Sequence, residues 1–388
     1  MLSREPEDSA LEVHELSKRY EAGQSAVDGL SFNVKVGEFF VIMGPSGSGK
    51  TTLLKCIAGL LLPDGGKIVI HGGDVTDLPP NKRNVSLIFQ DFALFPHMNV
   101  FENIAFGLKL KKMGKDEIRK EVAEILKLVG LSHMEKRFPR QMSGGEKQRV
   151  AIARSLVVKP KILLFDEPLA NLDYRLQRKM EEELKILHQR LGLTFIYVTH
   201  NQEQAISLGD RVMILNRGVI EQIGSPTEIY MHPVNVFTAR FLGELNLVRG
   251  EVTRLDGPKV EVKTSFASFT ARTGGERLEP NTEVTYAVRP EKVSIGEGEQ
   301  KKENMTKAKF VSAIYRGTET ECLVEMPNGS IFKAIVPGER IREISWSPSE
   351  VVTIGWRAED AFVLREVSAV AGTDVESLIY GQGGGEAR

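Results

Sequence analysis

The sequence predicts an α/β fold in its N-terminal part and a small all-β domain after it. From Leu11 to about Gly243, strand-like and helix-like segments alternate with loops of a few residues, a pattern typical of a sheet covered by helices. Residues 247–366 instead consist of short strand-like runs and turns, and Asn328-Gly329 is a strong hairpin signal. We therefore expect three parts: an α/β domain at 10–243, a β-barrel or sandwich at 244–366 and a flexible tail at 367–388.

The composition limits the classes of protein to which the chain can belong. Of the 388 residues, 41% are hydrophobic, so the chain can bury a sizeable core. The 51 lysines and arginines balance 52 acidic residues to a net charge of −1, so we expect no nucleic-acid partner. Two cysteines, Cys56 and Cys322, are too few for a disulfide framework and fit a reducing compartment. No run reaches the roughly 20 apolar residues of a membrane span, so we expect a soluble, intracellular protein.

Several strand-like runs are apolar at successive positions, as strands buried between two layers are. Two helices are predicted from apolar residues at helical spacing, and a glycine ends each of them. The helical stripes run from Ile118 to Val129, before Gly130, and from Leu176 to Leu191, before Gly192. The predicted strands are Phe39–Met43, Val85–Phe89, Ile162–Phe165, Thr194–Thr199 and Arg211–Leu215.

A glycine-rich loop joins the first of these strands to a helical segment and fits the pattern G-x-x-x-x-G-K-[ST]. Glycines let backbone N–H groups approach a phosphate, and the helix N-terminus adds a partial positive charge. Lys50 is predicted to reach the β- and γ-phosphates, and the Thr51 hydroxyl is predicted to bind Mg²⁺. The predicted nucleotide-binding residues here are Gly44, Pro45, Ser46, Gly47, Ser48, Gly49, Lys50, Thr51 and Thr52.

An acidic pair, Asp166-Glu167, follows the buried strand Ile162–Phe165. An unpaired buried charge is costly, so acids at the tip of such a strand indicate a function. Asp166 is placed to hold Mg²⁺ through water, and Glu167 to polarise the attacking water as a general base. The loop and the acidic pair together predict a nucleoside triphosphatase, without indicating which kind.

The segment Ser143–Arg149 precedes a helical run and contains a capping box, S-x-x-E. Its two glycines and the helix N-terminus also suit a second anion site. In its position between the glycine-rich loop and ILLFDEP, MSGGEKQR resembles the signature of ATP-binding cassette (ABC) ATPases. The resemblance covers about residues 11–240 and implies a RecA-like P-loop cassette with a helical subdomain at about 92–157. The signature residues it implies, which contact the ATP of a partner subunit, are Ser143, Gly144, Gly145 and Glu146.

The other motifs of that family follow in its order. The resemblance implies that Tyr20 stacks on adenine and that Gln90 contacts Mg²⁺ and senses the membrane subunit. It further implies that His200 contacts the γ-phosphate as a catalytic residue, and that Asp173 belongs to the D-loop. Glu146 stands where the family usually has glutamine, and we expect it to turn back and cap its own helix.

The family resemblance also implies partners. In ABC ATPases the signature of one cassette closes over the ATP of another, and this chain has one signature and one glycine-rich loop. We therefore expect a homodimer of cassettes that binds ATP and Mg²⁺. The segment after Gln90 resembles the part of importer ATPases that holds a coupling helix of the membrane protein. The expected partners are two membrane-spanning permease subunits and, indirectly, an extracytoplasmic solute-binding protein. The chain itself is expected to be a peripheral protein at the cytoplasmic face of the inner or plasma membrane.

The β-rich region carries YAVRPEKVSI at 286–295 and VVTIGWRAEDAFVL at 351–364. Both resemble the OB-like TOBE regulatory domain of solute-importer ATPases. Residues 239–252, which connect the two predicted domains, resemble the corresponding segment of the polyamine (spermidine/putrescine) subgroup in particular. Iron(III), sulfate and sugar importers remain alternatives, and a soluble ABC ATPase outside transport is a further, less favoured one.

Overall fold

The computed structural model describes residues 9–20, 25–273, 278–296 and 302–364. The tail predicted at 367–388 lies outside the described residues. Contacts within the chain divide it into two units between Thr227 and Glu228.

The first unit alternates strands and helices as predicted, and all five predicted strands are present with ends within one residue of those expected. Its strands are β1 (Ser9–Arg19), β2 (Ser25–Lys35), β3 (Phe39–Met43), β4 (Gly65–Ile70), β5 (Gly73–Asp74), β6 (Val85–Ile88), β7 (Ile162–Asp166), β8 (Thr194–Thr199), β9 (Arg211–Asn216) and β10 (Val219–Gly224). Its helices are α1 (Lys50–Ala58), α2 (Val100–Leu110), α3 (Lys115–Leu128), α4 (Gly144–Leu156), α5 (Tyr174–Leu191) and α6 (Gln202–Leu208).

The central sheet has six strands in the order β10-β9-β3-β8-β7-β6. Strands β9, β3, β8, β7 and β6 pair in parallel, and β10 pairs antiparallel to β9 at the edge. Every residue of β3 and β8 is buried, which explains their continuous apolar sequences. Because the strands are parallel, β3, β7 and β8 end at the same edge of the sheet, where ligands of α/β proteins bind.

A second, antiparallel sheet has the order β2-β1-β4-β5. Its apolar residues share one core with α1 and the central sheet, including Leu16 of β1, Val34 of β2, Leu54 of α1 and Ile42 of β3. The packing of this sheet places β2 beside the loop that precedes α1.

Helices α2, α3 and α4 form a separate core within the region predicted to be helical, at about 92–157. Asn99 and Glu102 form a capping box at the start of α2. Helix α3 is followed by Gly130, whose φ of 71° is left-handed, as its predicted role as a stop requires. None of the helices formed by the described residues is both long and apolar enough to cross a membrane.

The second unit contains a closed barrel and a five-stranded sheet that share a large core. At its centre, Trp356 Nε1 donates a hydrogen bond of 2.7 Å to the Tyr286 hydroxyl. The predicted hairpin joins β17 (Glu319–Glu325) and β18 (Ile331–Pro337), with Gly329 at φ 83° in the turn. Helix α7 (Pro226–Met231) crosses the division between the units, and α8 (Val236–Phe241) follows it.

The barrel, in spatial order, comprises β11 (Asn246–Asp256), β12 (Lys259–Thr264), β13 (Ser268–Arg272), β20 (Ala361–Leu364) and β14 (Glu283–Val288). The sheet, likewise, comprises β15 (Ser294–Ile295), β19 (Val351–Trp356), β16 (Asn304–Tyr315), β17 (Glu319–Glu325) and β18 (Ile331–Pro337).

The division between the units falls earlier than the boundary predicted after Gly243. Ala239 of α8 belongs to a small core with Leu247 and Phe362 of the barrel. The Arg289 guanidinium lies 3.5 Å from the centre of the Tyr230 ring. These contacts assign the segment after Thr227 to the β-rich unit, although its sequence is helical.

Candidate active site

The glycine-rich loop turns between β3 and α1 at the edge of the central sheet. Gly47 and Gly49 have left-handed φ angles of 78° and 102°. A Cβ on Gly49 would lie 2.0 Å from the carbonyl oxygen of Ala26, and one on Gly44 would lie 2.0 Å from that of Leu215. Only glycine therefore fits at positions 44 and 49, where the loop passes between β2 and β9.

The loop is also tied to the turn between β9 and β10, because the Gly218 N–H donates to the Ser48 carbonyl over 3.0 Å. The Ser48 hydroxyl is buried and has no hydrogen-bond partner among the described residues. An unpaired buried hydroxyl is costly, and a phosphate oxygen would provide the missing partner. Together with the glycine cradle and the N-terminus of α1, this hydroxyl makes the loop fit a phosphate group.

Lys50 lies in the first turn of α1 and is 5% exposed. Its Nζ donates to the carbonyl oxygens of Gly44 and Pro45, both over 2.8 Å. Burial lowers the pKa of Lys50, and the Glu167 and Asp166 carboxylates act in the opposite direction. The ammonium group is thus held against the first two residues of the loop.

Thr51 and Asp166 are brought together, and the Thr51 hydroxyl donates to Asp166 Oδ1 over 3.1 Å. Burial raises the pKa of Asp166, the Thr51 hydrogen bond lowers it, and the Glu167 carboxylate raises it. A hydroxyl beside a carboxylate is a donor set that suits Mg²⁺, which binds few protein oxygens and takes its other ligands from water and phosphates.

Glu167 and His200 form a second pair at the ends of β7 and β8. Glu167 Oε2 lies 2.8 Å from Nδ1 of His200, whose side chain is 57% exposed. Glu167 has a left-handed φ of 46°, and its N–H donates to the Val198 carbonyl. A non-glycine residue in this conformation is strained, and such strain concentrates at functional sites. The Glu167 carboxylate can accept a proton from water, and the His200 imidazole can orient this carboxylate.

The glycine-rich loop, Lys50, Thr51 and Glu167 line a cleft of about 480 Å³. The Tyr20 hydroxyl is 3.2 Å from Thr52 Oγ1, and the tyrosine is 51% exposed, which leaves its ring accessible. Ser25 and Ala26 also line the cleft, and sequence reasoning missed both because it did not assign β2. The residues that line the cleft are Tyr20, Ser25, Ala26, Ser46, Gly47, Ser48, Gly49, Lys50, Thr51, Thr52 and Glu167.

Not every predicted residue lines the cleft in the described part of the chain. Gly44, Pro45, Asp166 and His200 adjoin residues that line it, whereas Gln90, Asp173 and the signature residues have their contacts elsewhere. Gln90 is exposed, and its carbonyl accepts from Asn171 Nδ2 over 3.3 Å. Asp173 caps α5 by accepting from the Leu176 N–H over 3.0 Å. In the described part of the chain, the residues lining the cleft include none of the signature residues 143–146.

The structure confirms that Glu146 caps its own helix. Its Oε2 accepts from the Ser143 N–H over 2.7 Å, while the Ser143 hydroxyl accepts from the Glu146 N–H. The Ser143 N–H lowers the pKa of the Glu146 carboxyl. The Glu146 carboxylate is thus already hydrogen-bonded at the N-terminus of its own helix, α4.

Because a glutamine oxygen can accept the same hydrogen bond, Glu146→Gln is expected to change the affinity for ATP by less than about twofold. Titration of the purified protein with a fluorescent ATP analogue measures this affinity. An affinity altered severalfold would show that the Glu146 charge acts on the nucleotide rather than on its own helix.

The fold and the cleft define a nucleotide-binding cassette of the P-loop class. A glycine loop at the end of one parallel strand has the geometry to fit a phosphate group, and a threonine–aspartate pair suited to Mg²⁺ lies beside it. The Glu167–His200 pair adds a candidate base and its orienting group.

Comparison with known proteins identifies the family. The model for the ABC transporter family matches residues 27–170, and that for the TOBE domain matches residues 286–364. The spermidine/putrescine import ATP-binding protein PotA of Trichormus variabilis is 45% identical over 81% of this chain and 83% of its own length. The PotA proteins of Rubrobacter xylanophilus (40% identical; 92% of this chain, 93% of the relative) and Thermotoga maritima (42%; 86% and 92%) are similar over most of their length.

The chain therefore belongs to the family of ATP-binding subunits of ABC transporters. Among solved structures, cbiO1 of Clostridium perfringens, part of the ABC transporter complex cbiONQ, is 34% identical, with a TM-score of 0.55. The match covers 58% of this chain and 91% of cbiO1.

Proposed function

We propose that this chain is the ATP-hydrolysing, energy-coupling subunit of an ABC importer for polyamines, spermidine and putrescine. The observation that carries the solute assignment is its 40–45% identity to PotA proteins over 81–92% of the chain. The β-rich unit, which contains the TOBE match, is the regulatory domain in this proposal.

In the proposed reaction the glycine loop and Lys50 bind the β- and γ-phosphates, and the exposed Tyr20 ring stacks on adenine. The Thr51 hydroxyl would bind Mg²⁺, the Asp166 carboxylate would hold it through water, and Gln90 would be a further contact. Mg²⁺ supplies positive charge that stabilises the phosphate oxygens during transfer. The close Thr51–Asp166 pair supports this role.

Glu167 accepts the proton of the attacking water in this proposal, and His200 contacts the γ-phosphate. Their 2.8 Å contact supports a joint role, because an imidazole bound to the carboxylate limits the positions that the carboxylate can adopt. Positioned proton transfer of this kind contributes roughly 10²–10⁴-fold to a rate.

The working assembly is a homodimer of cassettes in which the signature of one chain, residues 143–146, contacts the ATP of the other. Support comes from the separation of the two motifs, since the signature does not line the cleft of its own chain in the described residues. The dimer binds two membrane-spanning permease subunits at the cytoplasmic face of the inner or plasma membrane. A solute-binding protein on the other side delivers the solute.

Uptake of labelled spermidine and putrescine by cells carrying wild-type protein or Glu167→Gln tests the function. We expect the variant to abolish uptake of both, because transport requires hydrolysis. Normal uptake by the variant in cells without a second polyamine importer would remove the polyamine assignment. Iron(III), sulfate and sugars would then be tested in the same cells.

A further inference from the structure

The backbone is strained immediately after Gln90. Phe92 and Ala93 have left-handed φ angles of 63° and 44°, although neither is a glycine. Two consecutive L-residues in this conformation are costly, so other contacts must hold the turn. Phe92 is buried and Ala93 is exposed, so burial of its own side chain does not stabilise the conformation of Ala93.

Arg154, near the end of α4, supplies such contacts. Its Nη1 donates to the Ala93 carbonyl over 2.6 Å, and its Nη2 donates to the Phe92 carbonyl over 2.8 Å. The guanidinium also lies 5.7 Å from the centre of the Phe95 ring. A planar fork with two donors matches two neighbouring carbonyls, which the single ammonium of lysine does not.

The same turn connects three motifs of the proposed reaction. Helix α4 begins at the Ser143 cap of the signature and carries Arg154 close to its other end. On the opposite side, Asn171 of the D-loop segment donates to the Gln90 carbonyl. The position of Gln90 therefore depends on contacts with α4 and with the D-loop segment.

We propose that Arg154 is a positioning residue that holds the strained turn at Phe92–Ala93 and thereby sets the position of Gln90. Movement of the signature helix is transmitted to Gln90 through this guanidinium, and movement at Gln90 is transmitted back. The proposal rests on the proposed function, because it gives Gln90 its role at the ATP site and the permease.

The test uses the assembled transporter in lipid vesicles and measures kcat and KM for ATP. Arg154→Met is expected to lower kcat about tenfold or more, since small displacements of positioning groups have effects of this size. KM for ATP should stay within about twofold, because the phosphate loop is unchanged. Arg154→Lys, which keeps the charge but makes one bond, should give an intermediate kcat.

The distinguishing variant is Ala93→Gly in the Arg154→Met background. Glycine adopts the left-handed conformation without strain, so we expect this double variant to regain at least about threefold in kcat. A loss of ordinary helix packing would not be reversed in this way. Because Ala93 is exposed, the glycine removes little packing of its own.

Arg119→Met, which removes an exposed arginine from neighbouring α3, is the matched control and should leave kcat unchanged. A wild-type kcat in Arg154→Met, or a loss that Ala93→Gly does not reverse, would overturn the proposal. If Arg154→Met does not fold, the same comparison is made with Arg154→Lys and its Ala93→Gly double variant. Failure of the polyamine assignment would appear in uptake by Glu167→Gln cells and leave these hydrolysis measurements valid.

Discussion

Glu167→Gln is expected to lower the rate of ATP hydrolysis by roughly 10²–10⁴-fold, the contribution of a positioned general base. Glutamine preserves the size of the side chain but cannot accept the proton of the attacking water. ATP affinity should remain within about twofold, because Lys50 and the glycine loop bind the phosphates independently of this carboxylate. Release of phosphate by the purified protein and titration with a nucleotide analogue measure the two quantities.

The same variant tests the homodimer. Because ATP joins the two cassettes and hydrolysis separates them in the proposed cycle, Glu167→Gln with ATP and Mg²⁺ should sediment as a dimer. The wild-type protein should return to monomers as it consumes ATP. A variant that stays monomeric with bound ATP would contradict the proposed assembly. Glu182→Gln, an exposed change on α5, is the control and should hydrolyse ATP at the wild-type rate.

Arg83→Met is expected to lower the free energy of unfolding by at least about 3 kcal/mol, because it leaves several buried carbonyls without a charged donor. Arg83 is 1% exposed. Its guanidinium donates to the carbonyl oxygens of Leu78, Cys56, Ile57 and Thr76 over 2.7–3.2 Å. Two of these carbonyls belong to the last turn of α1, where a cation also interacts favourably with the helix dipole. Urea unfolding followed by circular dichroism measures the change.

Arg178→Met is the matched control for this measurement. Arg178 contacts the Tyr174 ring and pairs with Glu203 over 2.9 Å, but its side chain is 48% exposed. Exposed pairs contribute little, so we expect a change below about 1 kcal/mol. Equal effects of the two substitutions would show that the burial of Arg83 is not what makes it important.

The sequence was sufficient to predict the central sheet and the core of the candidate site. Strands such as Phe39–Met43 are continuous apolar runs, and Gly44–Thr51 combines residue types that only a phosphate-binding turn requires. The pairing of Glu167 with His200 was not predicted, and it arises because both residues come directly after the neighbouring parallel strands β7 and β8. The roles of these residues in catalysis stay predictions.

The antiparallel sheet was missed, although β2 alternates buried and exposed residues from Leu30 to Val34. The consequence was that Ser25 and Ala26 were not assigned to the cleft. The division after Thr227 was also not predictable from local pattern, because a helical sequence gives no sign of the domain on which it packs. Likewise, nothing in the residue types of Phe92 and Ala93 indicates positive φ angles, which depend on the distant Arg154.

The shared core of the β-rich unit has a consequence for excising that domain. The stretch that the TOBE-domain model matches, residues 286–364, contains β20 and half of β14 but omits β11, β12 and β13. Of the five barrel strands, a fragment cut at these limits would carry β20 and half of β14, and each would have an open edge where its partner is missing. Open edges promote aggregation, so a soluble fragment must begin before Asn246. The limits of the TOBE-domain match and of the closed barrel are therefore different here.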